Sequence, residues 1–485
     1  DRRQSAVSSF TWLANERTNR ALSHRIMRTS TPPALSRATL QLSQVDLQLG
    51  KRSELPALLN DSDESKSSYR DLADTIDRRY AQLRSASIGV GAVVGLPARY
   101  QLESISLFFA LAKAGAVAVP LPPKSGGRIE DLLALAGAKH LFSATYELVE
   151  LSSRGNDEPA AEYRSLIESQ RPGLVLFTSG TTHQPKGAVH DLQRLCDRHR
   201  SPRPPKRVLG FMQMDHIGGV NTMLHVLTHG GTLIAPASRT PHDVCAAIEK
   251  HRVEVLPVSP TFLNLMLISG AMERYDLSSL QRISYGSEPM PASVLERLVH
   301  VLPTVEMLQT YGTTEVGILK SRSQGNSSLW MKVGGEGYET KVVQGRLWIR
   351  SETSMLGYLN APSPFDEDGF MNTGDQVECR GEWMRVLGRT CEVINVGGQK
   401  VAPVEVESVL LEMPEVEEAA VGPIQNPLMG QVVGARIRLK SEESIQDFKI
   451  RMRRHCRGRL PNYAIPVKLE LTRQPLVTDR LKRRR

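Results

Sequence analysis

The sequence predicts an α/β protein. A large N-terminal domain of parallel sheets covered by helices, with a β-rich part, precedes a small α+β C-terminal domain. Three observations carry that expectation. From Tyr69 to Gln309 strand-like and helix-like stretches alternate, as in strand–helix–strand units whose parallel sheet is covered on both faces. Past Gly337 the apolar period shortens to two, as in 341–350 and 383–387, the mark of half-buried strands. After Gly388-Arg389 a mixed pattern starts afresh, and 485 residues are too many for one typical core.

In chain order, residues 1–65 read as a weakly structured leader, broken by Thr31-Pro32-Pro33 and Asn60-Asp61-Ser62-Asp63. The large domain is expected over 66–389 and the small one over 390–485. Ile105, Phe108, Phe109 and Ala112 recur at helical spacing, 115–119 reads as a strand, 129–136 as a helix and 140–143 as a strand. The apolar run Leu174-Val175-Leu176-Phe177 has the length of a buried strand. It feeds Thr178-Ser179-Gly180-Thr181-Thr182-His183-Gln184-Pro185-Lys186-Gly187. Small hydroxyl residues and glycines after a strand gather N–H groups and hydroxyls into an anion-binding concavity, and Lys186 adds a point charge. The same stretch reads equally as a surface turn. It is not a Walker A loop, because the Gly180-to-Lys186 spacing is wrong and Gly187 stands where Ser or Thr is needed.

Helices at 220–227, 244–251, 260–268 and 292–302 then alternate with strands at 232–234, 253–256, 280–284 and 305–309. Ligands of such sheets bind beyond the carboxyl ends of the strands, so the loops there are where chemistry belongs. Tyr285-Gly286-Ser287-Glu288 is one, and Thr310-Tyr311-Gly312-Thr313-Thr314-Glu315 another. The second offers an aromatic face and a carboxylate suited to Mg²⁺, which takes one or two carboxylates plus phosphate oxygens. Asn372-Thr373-Gly374-Asp375 can present Asp375 to a ribose diol. Each loop also has a plain reading as a glycine turn, a surface acid or a core tyrosine. In the small domain Pro403 starts a helix, strands fall at 416–421 and 432–439, and a basic helix carries Ile445, Phe448 and Met452.

The net charge of +9 is concentrated in arginines near the start, between Lys449 and Arg459, and at the last positions. These read as solvated tails and helix faces, or as a surface for a membrane or polyanion. With 5% aromatic residues and none interleaved with the arginines, no base-stacking nucleic-acid surface is expected. The apolar stretch 105–121 is broken by Lys113 and closed by Pro120, so no transmembrane segment is expected. Five cysteines lie far apart with no CxxC pair, which fits a reducing cytoplasm and neither zinc nor disulfides. The Arg- and Ser-rich, acid-poor beginning reads as a frayed leader or the remnant of a targeting peptide.

Read together and in order, these loops resemble the adenylate-forming superfamily of acyl- and aryl-CoA synthetases, adenylation domains and luciferases. The likeness runs from about Tyr69 to the end. Thr178 to Gly187 is similar to the family's phosphate loop, Tyr311 to Glu315 to its Tyr-Gly-x-Thr-Glu motif, and Thr373-Gly374-Asp375 to its Thr-Gly-Asp motif. Gly388-Arg389 is similar to the hinge motif, Gly397-Gly398 opens the segment lining a thiol channel, and Pro475 to Lys482 resembles the terminal catalytic-lysine motif. The resemblance implies ATP- and Mg²⁺-dependent adenylation of a carboxylic acid. Transfer to a thiol follows, on CoA or on the phosphopantetheine of an acyl or peptidyl carrier protein.

It implies that Thr178, Ser179, Gly180, Thr181, Thr182 and Lys186 hold the β/γ-phosphates. Tyr311 would stack on adenine beside Gly286, with Ser287, Glu288, Gly312 and Thr314 in the same nucleotide site. Glu315 would hold Mg²⁺, and Asp375 and Arg389 the ribose. Lys482 would bridge substrate carboxylate and α-phosphate, with Lys186 and Glu315 completing the catalytic set. The small domain would be a mobile lid turning at Cys391.

Met214-Asp215-His216-Ile217-Gly218-Gly219 is similar to the acid pocket, with His216, Ile217, Gly218 and Gly219 lining it and Met223 nearby. Amino-acid adenylation domains place an Asp where Ile217 stands, and an unpaired buried ammonium is costly. A non-amino acid, fatty or aryl, is therefore expected, unless Asp215 serves instead. Cys391, His183 and Leu481 depart from the family pattern. They keep open a degenerate homologue that binds nucleotide without turnover, and the arginine clusters keep open a polyanion-binding scaffold, whose affinity would fall steeply with salt.

Overall fold

Apolar runs without alternation become the inner strands of two sheets. The structure is a computed structural model and describes residues 53–122, 128–151, 158–179 and 184–477. Val117–Leu121 is buried at every position and pairs in parallel with Val93–Pro97 on one side and Gly173–Ser179 on the other. His140–Phe142 adds a fourth parallel strand. Antiparallel Pro185–Asp191, Gly357–Tyr358 and Leu148–Glu150 complete a seven-stranded sheet. The second seven-stranded sheet runs Glu306–Gln309, Arg282–Tyr285, Val255–Val258, Arg207–Leu209, Thr232–Ala235, Pro56–Asn60, Ser65–Ser68, and only its last pair is antiparallel.

One expectation is corrected here. Pro56–Asn60 falls in the stretch expected to be unstructured, yet Ala57, Leu58, Leu59 and Asn60 are buried and the strand pairs with Thr232–Ala235. Its apolar run is short and ends in turn residues, so its partner far along the chain, not its own pattern, makes it a strand. Residues 1–52 lie outside the described residues. The expected strand–helix alternation runs from Ile217–Thr228 to Glu306–Gln309. Ahead of it stand the antiparallel pair Gly173–Ser179 and Pro185–Asp191, the short helix Leu192–Asp197 and the strand Arg207–Leu209.

One core cluster draws on both sheets, with Leu58, Val208 and Leu233 from one and Val94, Leu96 and Leu174 from the other. The helix Leu102–Lys113 belongs to it and is buried from Ser104 through Ala112, as expected of a helix apolar on all sides. Its Phe108 and Phe109 meet edge to face at 5.7 Å between centroids, and burial of each contributes about 1.5–3 kcal/mol. The neighbouring helix Tyr69–Ser85 starts at a Ser68–Asp71 capping box, which satisfies two otherwise orphaned N–H groups.

A six-stranded antiparallel sheet follows, in the order Ser321–Ser323, Met331–Val333, Trp383–Arg389, Met371–Arg380, Arg346–Ser351, Tyr338–Val343. The stretch 341–350 is thus a hairpin, turning between Val343 and Arg346. The last section builds a five-stranded sheet whose longest strands are Val416–Asn426 and Gly430–Leu439, with helices Pro403–Leu411 and Ile445–Cys456. Helix Ile445–Cys456 buries Phe448, Met452 and Cys456. Arg451 on its outer face bonds Glu415 and Glu443, and Arg459 bonds Glu412, which is how a solvated basic face behaves. Among the described residues no helix is long and apolar enough to cross a membrane.

Candidate active site

The parallel strands Val255–Val258, Arg282–Tyr285 and Glu306–Gln309 end level with one another, since Val258 pairs with Tyr285 and Tyr285 with Gln309. The loops that follow therefore leave the sheet side by side, at the edge where ligands of such sheets bind. Gly286 lets two of them touch. A Cβ there would lie 2.5 Å from Thr310 Oγ1 and 2.7 Å from its carbonyl oxygen, closer than atoms can approach. Ser287 takes the left-handed conformation at φ 71°, a strain of order 1–3 kcal/mol that clusters at functional sites.

These loops border a cleft of about 1690 Å³, larger than the roughly 300–1,000 Å³ of a pocket for one small ligand. Its wall gathers Thr178, Lys186, Tyr311, Glu315, Asp375 and Arg389, residues scattered over more than two hundred positions. Gly286, Ser287, Glu288, Gly312, Thr314 and Cys391 also border it.

Asp375 and Arg389 are register partners on adjacent antiparallel strands. Arg389 Nε lies 2.9 Å from Asp375 Oδ1, and its Nη1 donates to the Thr373 carbonyl at 2.7 Å. The Tyr311 hydroxyl donates to Asp375 Oδ2. Burial pushes the Asp375 carboxyl above the usual carboxylate range, and the nearby guanidinium only partly offsets it. Tyr311 is held well above its ordinary value by burial and by Asp375, so it stays a neutral donor.

Thr178 and Lys186 likewise face each other across a hairpin. Lys186 Nζ lies 5.0 Å from the centroid of the Tyr358 ring, a cation–π distance. The Tyr358 hydroxyl donates to Glu315 Oε1 at 2.5 Å. Tyr358 thus joins Lys186 to Glu315, the carboxylate expected to meet a metal, and the sequence reading missed it. Burial and Glu315 raise its pKa, so it remains protonated. Asn360, also missed, ties the hairpin end down. It accepts from Gly187 N at 3.2 Å and donates to the Pro185 carbonyl at 2.9 Å. Among the described residues no group of three or more His, Cys, Asp or Glu could hold a metal. A single carboxylate such as Glu315 still suits Mg²⁺ where phosphate oxygens and water complete its shell.

His216, Ile217 and Gly218 border the cleft where the helix Ile217–Thr228 begins. Gly219 is a correction. It is buried, and its missing Cβ would fall 1.9 Å from the Gln213 carbonyl oxygen, so it admits backbone and leaves no room for an acid. Met223 is fully buried in the core. Asp215 is buried within electrostatic reach of Tyr100 and is not on the cleft wall. Tyr100 donates to the carbonyls of Met212 and Gly219 at 2.6 and 2.9 Å, fixing the segment that carries His216.

Glu288 reaches the cleft, but its Oε1 also accepts from Thr261 N at 2.8 Å in the first turn of helix Pro260–Ile268. Gly397 and Gly398 do not border the cleft. They form the tip of the hairpin Ile394–Val396/Gln399–Val401, where Gly397 N donates to the Met429 carbonyl at 3.0 Å. Ser179 ends its strand. Gly180, Thr181, Thr182, His183, Thr478, Leu481 and Lys482 lie outside the described residues.

An α/β protein with strand-end loops and a paired acid around a large cleft defines a class, and comparison with known proteins narrows it. The family model for AMP-binding enzymes matches residues 45–359, and that for the AMP-binding enzyme C-terminal domain matches 405–479. The chain belongs to the AMP-binding enzyme family, within the adenylate-forming superfamily. It is similar to a probable CoA ligase of Humulus lupulus, 30% identical over 322 residues, 58% of this chain and 58% of the relative. It is also similar to a long-chain-fatty-acid–CoA ligase of Mycobacterium tuberculosis, 25% identical over 463 residues, 86% of this chain and 91% of the relative. The match spans 57% to 61% of the length of four curated plant relatives.

Among solved structures the fold is similar to the anthranilate CoA ligase AuaEII in complex with anthranoyl-AMP. The TM-score is 0.77 at 21% identity, covering 91% of this chain and 95% of that one. It is also similar to o-succinylbenzoate CoA synthetase from Bacillus subtilis in complex with its acyl-adenylate intermediate. There the TM-score is 0.72 at 21% identity, covering 91% and 96%.

Proposed function

We propose that this chain is an acid–thiol ligase. The carboxylate oxygen of a non-amino acid, fatty or aryl, attacks the α-phosphorus of ATP, and pyrophosphate leaves. A thiol of CoA, or of carrier-protein phosphopantetheine, then attacks the acyl carbon and AMP leaves. The observation that carries this reading is the convergence of Lys186, Tyr311, Glu315, Asp375 and Arg389 on one cleft. Negative charge gathers on phosphate oxygens in the first step, so fixed donors and cations contribute more than acid–base groups.

Lys186, opposite Thr178, would hold the β/γ-phosphates with the loop between them. Tyr311 would pack on adenine while its hydroxyl keeps Asp375 aimed at the ribose beside Arg389. Glu315, oriented by Tyr358, would hold Mg²⁺, which neutralises phosphate charge when bound. Ile217, where an α-ammonium would need an acid, and the buried placement of Asp215 support a non-amino substrate. Residues 66–389 would form the catalytic body. Residues 390–485 would form a lid turning at Cys391 to bring first Lys482 and then Gly397 and Gly398 to the cleft. Free cysteines without paired spacing support a cytoplasmic setting.

The test is ATP-dependent pyrophosphate release with a panel of fatty, aryl and amino acids, with and without CoA. Release with fatty or aryl acids, followed by CoA-dependent thioester, is the expected result. ATP affinity without turnover of any acid would instead favour a nucleotide-binding homologue.

A further inference from the structure

The cleft continues beyond the acid pocket's mouth. One face of the helix Ile217–Thr228 borders it at Gly218, Asn221, Thr222 and His225. These positions are three and four apart and so share a face. At 1.5 Å per residue that wall runs about 10 Å from Gly218 to His225. Alternate strand residues also border it, Arg282 and Ser284 on one strand and Glu306 and Leu308 on the next, with Gly286 and Thr310 just past their ends, which puts each strand pair on one sheet face. This arm therefore leads from the carboxyl ends of the strands, beside the nucleotide loops, back to their amino ends.

At its far end the arm is cationic. Arg198, Arg203, Lys206 and Arg282 border it together with His199 and His225. Lys206 is neutralised by Glu254 at 2.7 Å, and Arg282 by Glu306 at 2.7 Å. Arg198 and Arg203 have no ion-pair partner among the described residues. Arg198 is partly buried and lies over the Tyr338 ring at 5.5 Å from its centroid. Buried His199, its ring 5.6 Å from that of His225, has no hydrogen-bond partner for Nε2 among the described atoms. Burial and the surrounding positive groups bring His225 down to about 4, so at neutral pH it is an uncharged ring offering one donor. Two unpaired guanidiniums with imidazole donors in one recess are a receptor for an anion.

We propose that this recess receives a second anionic group at the distal end of the acid, so that preferred substrates carry an anion roughly 10 Å from the carboxylate that is activated. The inference rests on the acid-activating reading above. A distal carboxylate on a fatty or aryl acid satisfies it. CoA phosphates offer the same chemistry from another source.

The experiment uses two acyl-sulfamoyl adenosines of equal length, one ending in a methyl and one in a carboxylate. Each is titrated calorimetrically into the full chain and into Arg198→Met. The carboxylate-ended compound is expected to bind roughly ten- to a hundredfold more tightly, with that ratio falling toward one in the variant. Arg203→Met, at an exposed position, supplies the same comparison if Arg198→Met does not fold. Equal or weaker binding of the carboxylate-ended compound to the wild type overturns the proposal and leaves acid activation standing. Failure of both compounds to bind overturns both readings together. If Arg198→Met weakens CoA binding and leaves the ratio unchanged, the recess serves CoA and the proposal is likewise overturned.

Discussion

Asp375→Asn separates what this acid does for a ligand from what it does for the fold. The carboxylate accepts from Tyr311 on one oxygen and from Arg389 Nε at 2.9 Å on the other. The introduced amide accepts from only one of them. Arg389 is 51% exposed and keeps its bond to the Thr373 carbonyl, so losing its partner costs no more than the ~0–1 kcal/mol of a surface pair. Opposing this, the folded Asp375 carboxyl lies above its unfolded value because it is buried. Its stabilising contribution is therefore complete below the ordinary value of about 3.9 and is lost as pH rises through the raised folded value. At neutral pH the neutral amide escapes that cost. The two effects oppose, and the expected net change is within about 1 kcal/mol at pH 7, with the wild type gaining on the variant as pH falls toward about 4. If the carboxylate holds the ribose diol, its loss costs about 1.5–3 kcal/mol of binding, or roughly ten- to 150-fold in Kd for ATP. Calorimetric titration with ATP and thermal unfolding across that pH range read both quantities. An unchanged Kd accompanied by a Tm lowered by many degrees would refute the reasoning and assign Asp375 to the fold.

Tyr358→Phe removes the hydroxyl that orients Glu315. Pyrophosphate release should slow about tenfold and half-saturate at higher Mg²⁺, whereas an unaltered Mg²⁺ dependence would show that Glu315 needs no such guide. Gly219→Ala forces a Cβ to within 1.9 Å of a carbonyl oxygen and should destabilise by about 1–3 kcal/mol or more. Gly218→Ala meets the flexible end of Met212, its sulfur at 3.0 Å and methyl at 3.4 Å, and should unfold at nearly the wild-type denaturant concentration. Equal midpoints for the two variants would contradict that account. Lys482→Ala should lose on the order of 10²–10³ in adenylation, the scale of one preorganised donor, and an unchanged pyrophosphate-exchange rate would remove Lys482 from the catalytic set.

Which of these features the sequence reveals depends on whether their cause is local. The loops at Thr178, Gly286 and Tyr311 are legible because each follows an apolar run of strand length, and parallel sheets present ligands at strand ends. The pairing of Asp375 with Arg389, and of Thr178 with Lys186, is set by antiparallel register, which no single stretch encodes. Tyr358 belongs to a two-residue strand, too short to leave a period, and gains its role only by pairing beside Ala188. A glycine looks the same in sequence whether cleft or carbonyl lies beyond it, so Gly219 reads as open space. Pro56–Asn60 hides for a related reason, since five residues closed by a turn carry too little pattern without the strand they meet.

The proposed rotation at Cys391 is physically separable from the Asp375–Arg389 pair. On its amino side the chain is held to the cleft wall, with Thr390 N and Oγ1 both donating to the Gly374 carbonyl at 2.7 and 2.9 Å. On its carboxyl side Glu392 N and Val393 N bond back to the Arg389 carbonyl, before the small sheet begins at Ile394. The polar contacts between this last section and the large domain include the Arg385–Glu405 ion pair at 3.0 Å. Ser293 N and Oγ meet Ser408 Oγ and O at 3.0 and 2.7 Å, and Asn264 Nδ2 meets the Glu417 carbonyl at 3.1 Å. Each such bond is worth about 0.5–1.5 kcal/mol net because water can replace it. The larger resistance comes from Val406 and Leu410, which lie in one apolar cluster with Val294 and Leu298. A turn at Cys391 would exchange that apolar contact for another and leave Asp375, Arg389 and Tyr311 in place. Nucleotide could then stay held while the hairpin tip at Gly397 and Gly398 moves, which is why one position without regular structure would suffice to alternate two half-reactions at a single cleft.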